Sequence, residues 1–298
     1  MDKGPVAPID KRLVAGAFSA AAARYDEAAQ LQREVGDRLL ERLELVRIDP
    51  RRILDVGAGT GRYSERLGRR YRRARVVSLD IAPGMLAVAR SRTGWFARRS
   101  FLCADAECLP LADASVELLF SNLTLQWCTD LDRTFAEFRR VLRPGGLLMF
   151  STLGPDTLKE LRASWRAVDG GVHVNTFADM HDVGDAMVRA RLAGTVLDME
   201  YFTLTYPQVD GLMRDLKVLG AHNVNRGRSR GLTGPGRVRA LRQAYERFRT
   251  PGGLLPATYE VVYGHAWAPE ADARPQPRGP AGEVHVPFPA WRRPGTRG

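Results

Sequence analysis

The stretch Ile53-Leu54-Asp55-Val56-Gly57-Ala58-Gly59-Thr60-Gly61 holds most of the chemistry legible in this sequence. An apolar run leads through an acid into three glycines at alternate positions, and an amphipathic stretch begins at Arg62. Glycines in such a turn adopt backbone conformations closed to other residues and let a ligand lie against bare backbone at a helix start. The spacing G-x-G-x-G is not the G-x-G-x-x-G of dinucleotide sites, and no Gly-Lys-Ser/Thr follows as in a P-loop. Two further acids stand in comparable places. Asp80 ends the next apolar run, 19 residues beyond Gly61, where a carboxylate can accept from both hydroxyls of a ribose. Asp105 follows the third run in Cys103-Ala104-Asp105-Ala106, where an acid can accept from an adenine amino group. Together they describe a pocket for a nucleoside.

Strands must carry these residues. Short apolar runs mark them at Arg52–Val56, Arg75–Asp80, Ser100–Cys103, Val116–Ser121 and Leu147–Thr152, with helical patterns at Tyr63–Tyr71, Gly84–Arg90 and Leu131–Leu142. Strands separated by single helices imply right-handed crossovers and a mostly parallel sheet covered on both faces. Pro144-Gly145-Gly146 reads as the turn into the fifth strand. Ahead of the sheet, a small-residue helix near Phe18–Ala23 precedes a long amphipathic helix over Asp26–Val46. Beyond it, helices near Pro155–Val168 and Asp179–Ala190 lead to a strand at Val196–Tyr206, which a last strand, Ala257–Trp267, can join antiparallel at the sheet edge. The segment between these two strands is far too long for a hairpin loop of about 2–5 residues. With helical patterns at Gln208–Leu219 and Arg237–Phe248, it reads as a subdomain inserted over the carboxyl edge of the sheet.

Composition narrows the setting. The chain has 298 residues with a formal charge of +11, and only four of its 45 basic residues are lysine. Such a balance admits nucleic acid, anionic lipid or an acidic protein without choosing among them. No apolar run reaches the roughly 18 residues of a membrane span, and the first residues lack the apolar segment of a signal peptide. Cys103, Cys108 and Cys128 form no C-x-x-C pair, so the expectation is a cytoplasmic protein with reduced thiols. His173 and His181 lie eight apart, which is no helical face, so with Asp182 they read as structural residues, and no metal is expected. Seven of the 18 prolines fall between Pro269 and Pro294, so residues 268–298 read as a disordered Pro/Arg-rich tail.

The glycine turn and the strand-end acids resemble the class I S-adenosylmethionine-dependent methyltransferases. That resemblance implies a Rossmann-like α/β fold, mostly parallel with an antiparallel edge strand. It implies S-adenosyl-L-methionine as methyl donor. Asp55 with Gly57, Ala58, Gly59 and Gly61 would take its methionine moiety, Asp80 its ribose, and Asp105 with Ala106 its adenine. Met85 would pack on the purine, and Ile81 and Asn122 complete the cofactor set. Strand four ends in Phe120-Ser121-Asn122-Leu123-Thr124-Leu125-Gln126-Trp127, without the Asp/Asn-Pro-Pro-Tyr motif of base and amide N-methyltransferases. An oxygen nucleophile that needs little deprotonation remains favoured, and a carboxylate, ionised at pH 7, fits.

A narrower resemblance covers about Phe18 to Trp267. It rests on Ala21-Ala22-Ala23-Arg24-Tyr25-Asp26, Ser151-Thr152-Leu153-Gly154-Pro155, His173-Val174-Asn175 and Asp179-Met180-His181-Asp182. Leu212-Met213-Arg214-Asp215-Leu216-Lys217, Gly220-Ala221-His222-Asn223, Arg230-Gly231-Leu232-Thr233-Gly234 and Pro256-Ala257-Thr258-Tyr259-Glu260 continue it. The sequence is similar to the malonyl-[acyl-carrier-protein] O-methyltransferases of biotin synthesis. The resemblance implies a helical cap over residues 1–48 and a methyltransferase domain over 49–267, with the inserted subdomain at about 207–256. It implies acyl carrier protein bearing malonyl as partner, with malonyl-CoA as the free-thioester counterpart; nucleic acid and membrane are set aside. Tyr25, at the start of the long helix, would orient the malonyl carboxylate, and Lys217 and Arg214 would fix its second oxygen or the thioester end.

Two other readings stay open. Seven arginines between Arg62 and Arg75 and eight between Arg226 and Arg249 would suit an RNA methyltransferase, although the aromatics there are not interleaved as stacking platforms and no RNA-binding module is appended. The motifs around Met213 and Pro256-Ala257-Thr258-Tyr259 also recur in a methyltransferase-like assembly factor of respiratory complex I.

Overall fold

The computed structural model describes residues 10–169, 171, 173–221 and 234–270. Three helices come first: α1 (Lys11–Ala21), α2 (Tyr25–Ala28) and α3 (Gln30–Arg42). Then β1 (Arg52–Val56), α4 (Arg62–Arg70), β2 (Arg75–Asp80), α5 (Pro83–Ser91) and β3 (Arg99–Cys103) alternate, followed by β4 (Val116–Ser121), α6 (Leu131–Val141) and β5 (Leu142–Leu153). The remainder contributes α7 (Lys159–Val168), α8 (Met180–Arg189), β6 (Ala193–Tyr206), α9 (Val209–Val218), α10 (Pro235–Tyr245) and β7 (Leu255–Trp267). One seven-stranded sheet results, in the order β3-β2-β1-β4-β5-β7-β6. The first five strands are parallel; β7 is antiparallel to both β5 and β6 and lies between them, so β6 forms the edge.

Alternation along the central strands feeds a core on each face, as a sheet covered on both sides requires. Ile53, Leu118, Phe120 and Met149 pack with Leu39, Tyr63, Leu161 and Tyr245 on one side. Leu54, Leu119, Leu148 and Phe150 pack with Phe135, Phe138, Val183 and Met187 on the other.

Three expectations are corrected. The single helix over Asp26–Val46 is broken: α2 stops at Ala28, Ala29 leaves the helical region at ψ 40°, and α3 starts at Gln30. Just before the break, the Asp26 carboxylate accepts from Thr60 (2.9 Å) and from Arg92, tying this turn to the glycine loop. The small-residue helix starts earlier than Phe18, because Asp10 caps α1 by accepting from the Arg12 amide at 3.0 Å. Pro144-Gly145-Gly146 does not precede the fifth strand but bulges within it, the register jumping from Val116↔Leu142 to Leu118↔Leu147. The backbone of that bulge pairs with Ala268, just past β7. Sequence features at His222-Asn223, at Arg230–Thr233 and in the tail from residue 271 lie outside the described residues.

Candidate active site

One cavity opens at the carboxyl ends of β1–β4, under α1 and α2. Its floor is the glycine turn. Gly57 holds φ 71°, in the left-handed region, and a Cβ there would stand 1.9 Å from the Thr124 hydroxyl, so both conformation and space demand glycine. The turn is anchored to the next strand, since the amides of Gly57 and Ala58 both donate to the Leu79 carbonyl, at 2.8 and 2.9 Å.

Asp80 locks the turn from the other side. Its two oxygens accept from the Gly59 and Ala82 amides, each at 2.8 Å. Burial pushes its carboxyl above the usual range, and those amides oppose the shift. Each oxygen keeps a further lone pair for a ligand hydroxyl. Asp105 also lines the cavity, but Lys11 of α1 holds both its oxygens, at 2.8 and 2.6 Å, and reaches Glu107 at 2.7 Å. Against its burial, Lys11 and the amides of Thr129 and Asp130 hold the Glu107 carboxyl below its ordinary range. Lys11 thus pins the start of α1 over the third strand end. The other end of α1 is fixed by close packing: the Gly84 amide donates to Ser19 Oγ at 3.2 Å, and a Cβ on Gly84 would lie 2.7 Å from Ser19 backbone.

Tyr25, from α2, lines the same cavity, with its ring edge-on to Phe18 at 6.3 Å; Phe18 in turn meets Trp127 at 5.2 Å. Burial, with Asp80 and Asp26 nearby, pushes the Tyr25 phenol well up, so it stays protonated. Asn122 spends its side chain on the scaffold, donating to the Gln32 carbonyl at 3.0 Å and accepting from Ser151 at 2.8 Å. That places Gln32 on the cavity wall, where its buried Oε1 has no hydrogen-bond partner. An unpaired buried acceptor on a residue that lines a cavity is a place where a ligand donor could be satisfied.

Gly57, Gly59, Asp80, Ile81, Met85, Asp105, Ala106, Asn122 and Tyr25 therefore come together. Asp55, Ala58 and Gly61 do not line the cavity. Asp55 turns under α4, where Ser64 donates to it at 2.5 Å and Ser78 donates to Ser64 at 2.7 Å; burial pushes its carboxyl up to about 7. Gly61, at φ 83°, is the left-handed start of α4. Arg214 and Lys217 also miss the cavity and stand exposed. The inner stripe of α9 is Leu212, Asp215, Leu216 and Leu219, spaced i, i+3, i+4 and i+7, which leaves positions 214 and 217 facing out. Among the described residues, the one cation lining the cavity is Lys11, set against Asp80, Asp105 and Asp215. A cationic nucleoside suits that acidic balance.

Beyond Tyr25 and Gln32 the cavity turns apolar. Leu31, Leu153, Leu158, Leu204 and Leu216 form its walls, with Tyr259 and with Tyr206, whose hydroxyl donates to Asp215 at 3.1 Å. Two lining residues, Leu123 (φ 50°) and Leu158 (φ 56°), hold left-handed conformations costly for leucine, of the kind that gathers at functional sites. Nothing in their residue type signals this. Lys11 and Gln32, also missed from sequence, are recognisable only from the long-range partners they find.

The family described as "Methyltransferase domain" matches residues 54–150, from β1 to within β5. Among solved structures, a putative methyltransferase from Bacillus halodurans covers 78% of this chain and 98% of its own at TM-score 0.53 and 17% identity, a likeness of fold. Sequence likeness is much closer. The malonyl-[acyl-carrier protein] O-methyltransferase of Methylovorus sp. (strain MP688) is 57% identical over 269 residues, covering 88% of this chain and 90% of that protein. The protein of the same name from Halorhodospira halophila is 51% identical over 294 residues, covering 98% and 99%. With its parallel sheet, glycine turn and strand-end acids, the chain belongs to the malonyl-[acyl-carrier protein] O-methyltransferase family of class I methyltransferases.

Proposed function

We propose that this enzyme transfers a methyl group from S-adenosylmethionine to the free carboxylate of a malonyl thioester carried by acyl carrier protein, giving the methyl ester that primes pimeloyl synthesis for biotin. The observation that carries this reading is one continuous cavity with two characters: an acidic, hydrogen-bonding half on the strand ends and an apolar half behind Tyr25. In the first half, Asp80 would hold the ribose, Asp105 and Ala106 the adenine against Met85, and the backbone of Gly57 and Gly59 the methionine end. Gln32 Oε1 would accept from the donor's ammonium. Bound there, S-adenosylmethionine would supply the methyl group, its sulfur keeping the electron pair of the C–S bond as a neutral thioether.

The chain's own residues then have little acid–base work. A carboxylate is already ionised at neutral pH, so no general base is needed. Protonated Tyr25 would orient the carboxylate as a donor without forming an ion pair that would blunt its nucleophilicity. The leucine walls and the roof of α1 and α2 exclude water, which strengthens attraction between carboxylate and sulfonium. Arg214 and Lys217, on the outer face of α9, suit docking of an acidic carrier protein.

The test is methyl transfer from labelled donor to malonyl-carrier protein, malonyl-CoA and bulk RNA. Label on the malonyl thioesters is expected, and label confined to RNA overturns the reading. Tyr25→Phe should lower turnover; unchanged turnover removes Tyr25 from the site.

A further inference from the structure

The amino ends of the strands carry a second concave surface. α4 descends from the glycine turn to the start of β2, and the loop after α5 climbs into β3, so two distant stretches of sequence meet there. Arg69 and Arg72 from one and Arg92, Arg98 and Arg99 from the other line a single groove that holds one acid, Glu65. Glu65 is engaged by Arg69, and Arg92 by Asp26. Arg72 and Arg98 have no partner among the described residues. Arg99 reaches only the Gly61 carbonyl, at 3.5 Å, the outer limit of a hydrogen bond. Burial, together with Arg69 and despite Glu65 and Asp55, lowers the Arg99 guanidinium below its ordinary value.

The lip of this groove is aromatic. Trp95 and Phe96 are each 101% exposed, and Phe96 lines the groove. The Ala97 amide donates to the Gly94 carbonyl at 3.0 Å, which closes a turn with both rings at its tip. Folding gains nothing from two adjacent large aromatics held out in water, so they mark a binding surface. The groove shares no lining residue with the cavity, although Arg99 and Arg92 reach back to Gly61 and to Asp26 beside the glycine turn.

We propose that this groove binds the phosphate of a nucleotide, free or within a single-stranded polynucleotide, with the base stacked on the Trp95–Phe96 lip. Guanidinium forks match phosphate oxygens in pairs, and exposed rings offer every base a face to stack on. The inference does not rest on the methyl-transfer reading, because none of these residues touches the cavity.

Fluorescence anisotropy of full-length protein with a labelled 12-mer of oligouridylate, and calorimetry with AMP and with pyrophosphate, test it. Binding is expected, weakening steeply with salt. Arg72→Glu with Arg98→Glu should weaken the oligomer, AMP and pyrophosphate by at least about tenfold. Phe96→Ala with Trp95→Ala should weaken AMP and the oligomer but spare pyrophosphate. Methyl transfer should be unchanged in both variants. AMP and oligomer of similar affinity point to a free nucleotide, and an oligomer more than about tenfold tighter points to a polynucleotide; either supports the proposal. It is overturned if none of these ligands binds, if binding survives the charge reversal, or if only phosphatidylglycerol vesicles or an acidic protein bind the groove.

Discussion

At the carboxyl ends of its strands this protein gathers acids and satisfies them: Asp80 with two amides, Asp105 and Glu107 with Lys11, Asp215 with Tyr206. At the amino ends it gathers arginines and leaves Arg72 and Arg98 without a partner among the described residues. The first region is roofed and partly apolar; the second is open to water. A net charge of +11 therefore says nothing about the substrate cavity, whose described lining carries more acid than base. Charge sums report on surfaces, and a reaction site is read from particular residues.

The largest effect expected is at the glycine turn. Gly57→Ala combines a left-handed backbone with a Cβ 1.9 Å from Thr124, and should cost several kcal/mol, about 1–2 for the backbone and about 1–3 for overpacking. A thermal melt and a cofactor titration would both show it; normal values in both would mean that the floor of the cavity is not rigid. Asp80→Ala should come next, weakening cofactor binding by about 1–3 kcal/mol through unpaired buried donors, as read from the dissociation constant.

Asp55 sharpens the contrast through pH. Its folded value, about 7, lies above its ordinary 3.8, so the folded protein holds this proton more tightly than the unfolded chain. The resulting stability is full below the ordinary value and is lost as pH rises through about 7. Asp55→Asn should flatten that part of the stability profile in urea titrations at successive pH values. Lys11→Met should cost about 1 kcal/mol, since the pair is partly exposed, and should speed hydrogen exchange in α1. The low value of Glu107 makes its share of that clasp present above the ordinary carboxylate range and lost as pH falls through the folded value. The raised value of Lys11, won against burial by Asp105 and Glu107, makes its share disappear only at strongly alkaline pH. The smallest effect belongs to the amino edge: Trp95→Ala with Phe96→Ala should leave folding stability within about 0.5 kcal/mol. A large drop in melting temperature would make those rings structural and erase the contrast.

Sequence reasoning reached what depends on residue type and short spacing. The glycine turn, Asp80, Asp105 and the alternation of strands and helices are local patterns, and they stand where expected. Arg214 and Lys217 stand outside the described cavity, and the signal for that was present: the phase of Leu212, Leu216 and Leu219 already turns 214 and 217 outward. Asp55 needed knowledge that Ser64 and Ser78 wait beneath it. The break at Ala29, the clasp of Lys11 and the meeting of Trp95–Phe96 with Arg69 and Arg72 depend on contacts between distant segments. No periodicity within either segment encodes them.

The position of β7 between β5 and β6 bears on how the protein emerges from the ribosome. β1–β5 can pair as they are made, but β6, 14 residues long, leaves the exit tunnel without its one neighbour, β7, and must wait for Trp267 to be added. A long unpaired edge is an invitation to self-association, and the nascent chain carries one for as long as α9 and α10 are being translated. When β7 zips in, it brings Tyr259 to the cavity wall, so the same late event that shields the edge also completes the chamber.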